Sequence, residues 1–209
     1  MAAAADGSFP DFTLAAEGLA CRRGGRLIFS ELGLSLGNGE AIALTGRNGA
    51  GKSSLIAMLS GRLRPAAGHI GLTGFEDLPI AEAAHLVGHR DGLKTALTAS
   101  ENLAFAQALL GRAAASPAAA LEAVGLPHVG DLPVGYLSAG QRRRVALARL
   151  LVAPRPIWLL DEPLAALDAG SQAMLTELMR GHLAAGGAIL AATHGPLGLD
   201  GARELRIGA

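Results

Sequence analysis

One cysteine, Cys21, stands among 209 residues, so the chain forms no internal disulfide and builds no cysteine-rich metal site. That usage suits a reducing compartment, and the cytoplasm is the expectation. An excess of either charge is also missing: Lys plus Arg number 18 and Asp plus Glu 18, which leaves no global field to draw the protein to nucleic acid or to acidic lipid. No nucleic-acid partner is expected. Nor does any stretch approach the roughly 20 uninterrupted apolar residues needed to span a bilayer. Direct membrane insertion is therefore not expected, and at a membrane another chain must hold this one. Residues 1–7 carry no basic residue ahead of a long apolar segment, so they read as a frayed tail rather than a secretory signal. The length fits a single well-cored domain over residues 1–209, and no internal repeat divides it.

Glycine is plentiful, and one cluster of it has a direction. Gly46-Arg47-Asn48-Gly49-Ala50-Gly51-Lys52-Ser53 is a complete G-x-x-x-x-G-K-[ST] loop. It follows the apolar run Ala41-Ile42-Ala43-Leu44 and leads, through Ser54, into the helical run Leu55-Ile56-Ala57-Met58-Leu59. A buried strand delivers such a loop, its glycines let backbone N–H groups close round phosphate oxygens, and the helix N-terminus adds its positive dipole. Lys52 is placed to reach the β- and γ-phosphates, and the Ser53 hydroxyl to hold Mg²⁺. An accidental Gly-rich turn is the bland alternative, and the flanking strand and helix argue against it.

Taken in order, residues 13–36 alternate short apolar pieces with Gly-bounded turns and read as antiparallel strands. Turn signals over residues 65–74 predict another short hairpin. Leu86-Val87-Gly88 reads as a central strand ending at His89. Thr98-Ala99-Ser100-Glu101 is a capping box ahead of Leu103, Phe105, Ala106, Leu109 and Leu110, with Gly111 as stop. Ser116-Pro117 opens a further helix that ends at Gly125. Ser138-Ala139-Gly140-Gln141 is a second capping box, opening a helix that stops before Pro154. Residues from about 96 to 150 thus form a helical subdomain set into the core. Ile157-Trp158-Leu159-Leu160 is apolar on both faces, as a buried parallel strand should be. A helix over residues 170–183 and a strand over residues 188–192 follow.

Two strand ends carry chemistry. Asp161-Glu162 closes one buried strand: a hard cation wants oxygen ligands and an attacking water needs a base, so Asp161 suits Mg²⁺ and Glu162 suits the water. His194 closes the next strand, where α/β sheets place ligand-contacting residues, and a neutral imidazole there could sense a γ-phosphate. Alone, an acidic pair at a strand end is often a polar turn, and a lone histidine is more often ordinary. The run Arg142, Arg143, Arg144 reads as a solvated helix face, with phosphate or subunit contacts as the alternative.

Together these stretches resemble a known family. The glycine loop, Leu137-Ser138-Ala139-Gly140-Gln141, the strand ending in Asp161-Glu162, Ala166-Leu167-Asp168 and His194 stand in the order and approximate spacing of the ATP-binding subunits of ATP-binding-cassette transporters, over nearly the whole chain. The resemblance implies an α/β fold: a P-loop NTPase core with an antiparallel β subdomain and the inserted helical subdomain. It implies ATP hydrolysis with Mg²⁺, held by Ser53 and Asp161, and Glu162, His194 and Lys52 acting in catalysis. Residues 46–54 would bind the nucleotide. Ser138, Gly140 and Gln141 would close over the γ-phosphate held by Lys52 of a second copy, with Asp168 communicating across that dimer. By physics alone residues 137–141 are an anion site or simply a good cap.

Two positions depart from the general pattern. His89 falls where a glutamine usually contacts metal and water, and Arg23 falls where an aromatic stacks on adenine; either the Arg23 guanidinium stacks on the base or Arg23 serves only the turn. Residues 87–103, the LSAGQ variant running into residues 142–150, and Thr193-His194-Gly195-Pro196-Leu197 resemble the ATP-binding subunit of the haem exporter of bacterial cytochrome c maturation. That resemblance implies integral-membrane permease partners, a peripheral position on the cytoplasmic face of the inner membrane, and ATP turnover that drives release of a haem-loaded chaperone. An exporter ATPase for another substrate and a soluble cassette ATPase remain the alternatives. His69, His85, His128 and His182 are scattered and define no haem site.

Overall fold

The computed structural model describes residues 9–75, 78–111 and 114–208; the tail over residues 1–7 lies outside the described residues. β1 (Thr13–Arg23) and β2 (Arg26–Gly37) form an antiparallel hairpin about Gly24 and Gly25, both at positive φ. β3 (Ala41–Thr45) runs through the glycine loop into α1 (Lys52–Leu59). β4 (Ala67–Thr73) then returns antiparallel to β1, giving a three-stranded sheet in the order β2-β1-β4. The turn residues over 65–74 therefore mark a chain reversal onto β1, not a hairpin of their own. α2 (Ile80–Ala83) leads to β5 (Ala84–Val87). Next come α3 (Ala99–Leu110), α4 (Pro117–Ala123) and α5 (Ala139–Val152). β6 (Ile157–Asp161), α6 (Ala169–Ala184), β7 (Ala188–Ala192) and β8 (Arg203–Arg206) complete the order.

Five strands make the parallel sheet, in the order β5-β6-β7-β3-β8. β5 is an edge strand rather than a central one. Its run of apolar residues arises because helices cover it, not because strands flank it on both sides. The two-residue period of the inner strands divides the core cleanly. Ile157 and Leu159 of β6, Leu190 of β7 and Ile42 and Leu44 of β3 face α1 and the antiparallel sheet, meeting Leu14, Leu19, Leu36, Leu55 and Leu59. Trp158, Leu160, Ile189 and Ala191 face the other way, onto Leu147 and Leu150 of α5 and Leu175 and Met179 of α6. Burial on both faces is what a parallel sheet between helices demands, and each fully buried Leu contributes roughly 1.5–3 kcal/mol.

α3, α4 and α5 close round a separate apolar cluster that includes Leu103, Leu121, Val124, Leu126, Val145 and Ala148. Only one stripe of α3 enters it: Ala99, Leu103 and Ala106 are buried, whereas Phe105 and Leu109, one turn apart, lie on the outer face. Asn102 is buried as well, and ties down the approach to this helix: its Nδ2 donates to Lys94 O and Thr98 O, and its Oδ1 accepts from Lys94 N. Because β3, β5, β6 and β7 run the same way, their carboxyl ends bring the glycine loop, residues 88–89, Asp161-Glu162 and His194 to one edge of the sheet.

Candidate active site at the carboxyl edge of the sheet

The glycine loop keeps its shape because its neighbours leave no room for side chains. At Gly46 (φ 144°) a Cβ would lie 2.4 Å from the Ile207 carbonyl oxygen, and at Gly51 (φ 103°) it would lie 2.8 Å from Ile28 Cγ2 and 2.9 Å from the Phe29 ring. Both backbones also occupy regions that glycine alone adopts readily. Gly51 is the N-cap of α1 and supplies no side-chain hydrogen bond, so the first-turn N–H groups are available to an anion. Lys52 is buried beneath the loop, its Nζ donating to Gly46 O at 2.8 Å and Arg47 O at 3.4 Å. A cavity of about 420 Å³ brings Asn48, Gly49, Gly51, Lys52, Ser53 and Ser54 together with Arg23 and Ile28 of the hairpin, and with Glu162. Gly46, Arg47 and Ala50 do not line it.

Glu162 follows directly on β6 in a left-handed backbone (φ 51°), a conformation that costs a non-glycine residue about 1–2 kcal/mol. Its N–H donates to Ala192 O at 3.0 Å, which pins it to the end of β7. There Thr193 Oγ1 donates to Gly195 O at 2.7 Å and accepts from Gly195 N at 3.1 Å, a tight turn that carries His194. His194 Nε2 comes within 3.3 Å of Glu162 Oε1. Glu162 also lines a second cavity, of about 410 Å³, with Gln172, Thr193, His194 and Gly195. Glu162 thus lines both the loop cavity and the His194 cavity. Asp161, the last residue of β6, is buried. Among the described residues no group of three or more His, Cys, Asp or Glu side chains could hold a metal. The donors that do fit a hard cation are oxygens, the Ser53 hydroxyl beside the cavity and the Asp161 carboxylate, with phosphate oxygens and water for the rest.

Other sequence candidates lie apart. His89 is exposed just beyond β5 and lines neither cavity. Ser138 and Gly140 sit at the N-terminus of α5, also away from both cavities. The capping box is formed: Ser138 Oγ accepts from Gln141 N at 3.2 Å and Gln141 Oε1 accepts from Ser138 N at 2.8 Å. A Cβ at Gly140 would lie 3.3 Å from Ala166 O, so the helix start is seated on the loop that leads to Asp168. Asp168 caps α6, accepting from Ser171 N at 2.7 Å, and that hydrogen bond holds its carboxyl below the usual range.

Arg143 corrects the reading of residues 142–144 as a solvated face. It is 5% exposed, and its guanidinium reaches the backbone of both Asp161 and Glu162. The signal lay in the helical period: positions 143, 146, 147 and 150 form one stripe, and that stripe is buried.

The glycine loop, the acidic strand end and the histidine beyond it, set between an antiparallel sheet and a helical cluster, define a nucleotide-hydrolysing cassette. The family model for the ABC transporter matches residues 29–165, and the chain belongs to that family as one of its ATP-binding subunits, an ABC ATPase. Over 197 residues it is 57% identical to the cytochrome c biogenesis ATP-binding export protein CcmA of Rhodopseudomonas palustris strain BisB5, covering 94% of this chain and 98% of that one. The CcmA protein of Nitrobacter winogradskyi is 56% identical over 93% of this chain and 98% of its own length. Among solved structures, an ATP-binding protein of an ABC transporter from Pyrococcus furiosus matches with a TM-score of 0.80 at 22% identity, over 93% of this chain and 97% of that one, and so shares the fold.

Proposed function

We propose that this chain powers a cytochrome c biogenesis export complex, hydrolysing ATP at sites shared between two copies of itself. The observation that carries the catalytic assignment is the 3.3 Å approach of His194 to Glu162, with Glu162 on the wall of the Lys52 cavity. In this reading the loop N–H groups and Lys52 hold the β- and γ-phosphates, and Arg23 meets the base. Glu162 accepts a proton from water as the water oxygen bonds to the γ-phosphorus. The bond from that phosphorus to the β–γ bridging oxygen breaks, and its electron pair leaves with ADP. His194 orients Glu162 and contacts the γ-phosphate. When bound, Mg²⁺ would be held by Ser53 and Asp161 and would neutralise charge on the phosphate oxygens. His89 is assigned to the hinge between β5 and the helical cluster.

A second copy is part of the proposal because Ser138, Gly140 and Gln141 present a helix N-terminus away from the chain's own loop, free to complete another copy's site. Asp168 lies beside that surface. No helix among the described residues is long and apolar enough to cross a membrane, so permease subunits at the cytoplasmic face of the inner membrane would receive the motion. The names of the relatives, ATP-binding export proteins of cytochrome c biogenesis, support this complex, and release of a haem-loaded chaperone is the output proposed for it. The test is to delete the chain from its host and restore it. Haem-dependent cytochrome c assembly should be lost and regained, and a polytopic membrane protein should copurify. Unchanged assembly in the deletion would overturn the reading.

A further inference from the structure

Arg143 joins three pieces of this site through one guanidinium. Nη2 donates to Asp161 O at 3.1 Å and Glu162 O at 2.9 Å, at the end of β6. Nη1 donates to Gly88 O at 2.8 Å and approaches Asp91 Oδ1 at 3.3 Å, in the segment that runs from β5 past His89. The arginine itself stands on α5, five residues beyond Ser138 in the helix whose start carries Ser138 and Gly140. Among the described residues its Nε has no partner, so the buried cation is answered by these four oxygens alone.

We propose that Arg143 is a positioning residue for hydrolysis, holding Glu162 in its productive backbone conformation and registering it against the start of α5. The inference rests on Glu162 being the base. Its N–H is bound to Ala192 O and its C=O accepts from both Ala165 N at 3.1 Å and Arg143 Nη2 at 2.9 Å, so Glu162 is gripped on both sides of its left-handed Cα, and its carboxylate emerges toward His194. Without the arginine the carbonyl keeps only the Ala165 N–H of its own turn and loses its tie to α5, so the turn shifts and the carboxylate leaves the water it must deprotonate. A lysine keeps the charge but presents its donors from one nitrogen, which cannot span carbonyls on two strands as a planar fork does. The side chains that hold the nucleotide in this reading, Lys52, Ser53 and Arg23, make no hydrogen bond to Arg143, whose contacts at the site are to the backbone of Asp161 and Glu162, so the direct grip on ATP is kept.

The experiment compares Arg143→Lys, Glu162→Gln and the double variant as full-length chains in the assembly that gives wild-type turnover. Arg143→Lys should lower kcat about 10- to 100-fold with KM for ATP within about twofold of wild type. In the Glu162→Gln background the same change should slow residual hydrolysis no further, since the residue it acts through has already lost its function. A raised KM with normal kcat, or a full additional loss in the double variant, overturns the inference. If Arg143→Lys does not fold, Asp91→Asn loosens the same guanidinium from one side: lowered kcat at constant KM supports the proposal, and unchanged kcat overturns it. Wild-type turnover by Glu162→Gln alone would instead remove the base assignment, a result separable from any of these.

Discussion

Glu162 and His194 meet because two adjacent parallel strands end level, Asp161 of β6 opposite Ala192 of β7, and each chain then turns within two residues. Glu162→Gln keeps the shape and removes the proposed base. It should retain ATP, lose turnover by about 10²–10⁴-fold, and accumulate a nucleotide-bound dimer, read by phosphate release and by sedimentation. Lys52→Ala should abolish tight nucleotide binding or turnover, and near-normal values of both in a binding and phosphate-release assay would sink the loop assignment. Residues whose chemistry is local were legible in the sequence: a glycine-lysine-serine loop needs its own spacing and little else. Arg143 was not, because three consecutive arginines look alike until the helix assigns each a direction, and its acceptors are backbone carbonyls that no composition reveals.

Both capping boxes form as their residues dictate, yet they answer different needs. Thr98→Ala should cost about 1 kcal/mol in denaturant unfolding and leave kcat alone, since Thr98 only satisfies Glu101 N and seats α3. Ser138→Ala should cost about the same stability but also most of the turnover, because its hydroxyl is assigned to a second copy's γ-phosphate. Equal turnover in the two variants would reduce Ser138 to a cap. Helices were readable because their start and stop signals are near neighbours in sequence. Strand partners were less so: β4 finds β1 rather than a hairpin mate, β5 lies at an edge, and β8, an Arg-Glu-Leu-Arg segment with charged residues suited to a sheet edge, carries no apolar alternation to announce it.

At the scale of the whole assembly, the proposed sharing of each site between two copies makes a mixing test decisive. Chains carrying Lys52→Ala and chains carrying a bulky Ser138→Arg should each be inactive alone, and their mixture should recover turnover, since a mixed pair confines both lesions to one site and leaves the other intact. No recovery from demonstrably mixed dimers would argue against sharing. The core adds an acid limit. His85 Nε2 lies 2.6 Å from Ala153 O and His182 stacks on Trp158 at 3.9 Å; burial pushes their pKa values down to about 4 and about 3. Both fold neutral, whereas the unfolded chain takes up protons near pH 6.5, so their contribution is whole above that pH and is lost as pH falls toward 4 and then 3. By pH 4 the loss should reach roughly 2–3 kcal/mol per histidine, and His85→Gln should flatten the decline in a thermal-melt series from pH 7 to pH 4.

The contact between Gly46 and Ile207 also bears on the order of folding. Ile207 N donates to Thr45 O at 3.0 Å, and its own carbonyl occupies the space above Gly46, so the first residue of the phosphate loop is clamped by a segment that leaves the ribosome long after the loop itself. Contacts so distant in sequence form late. Nascent chains arrested before β8 should therefore carry every loop residue and still bind nucleotide poorly. Capture on immobilised ATP would then select molecules whose synthesis and folding have run through β8.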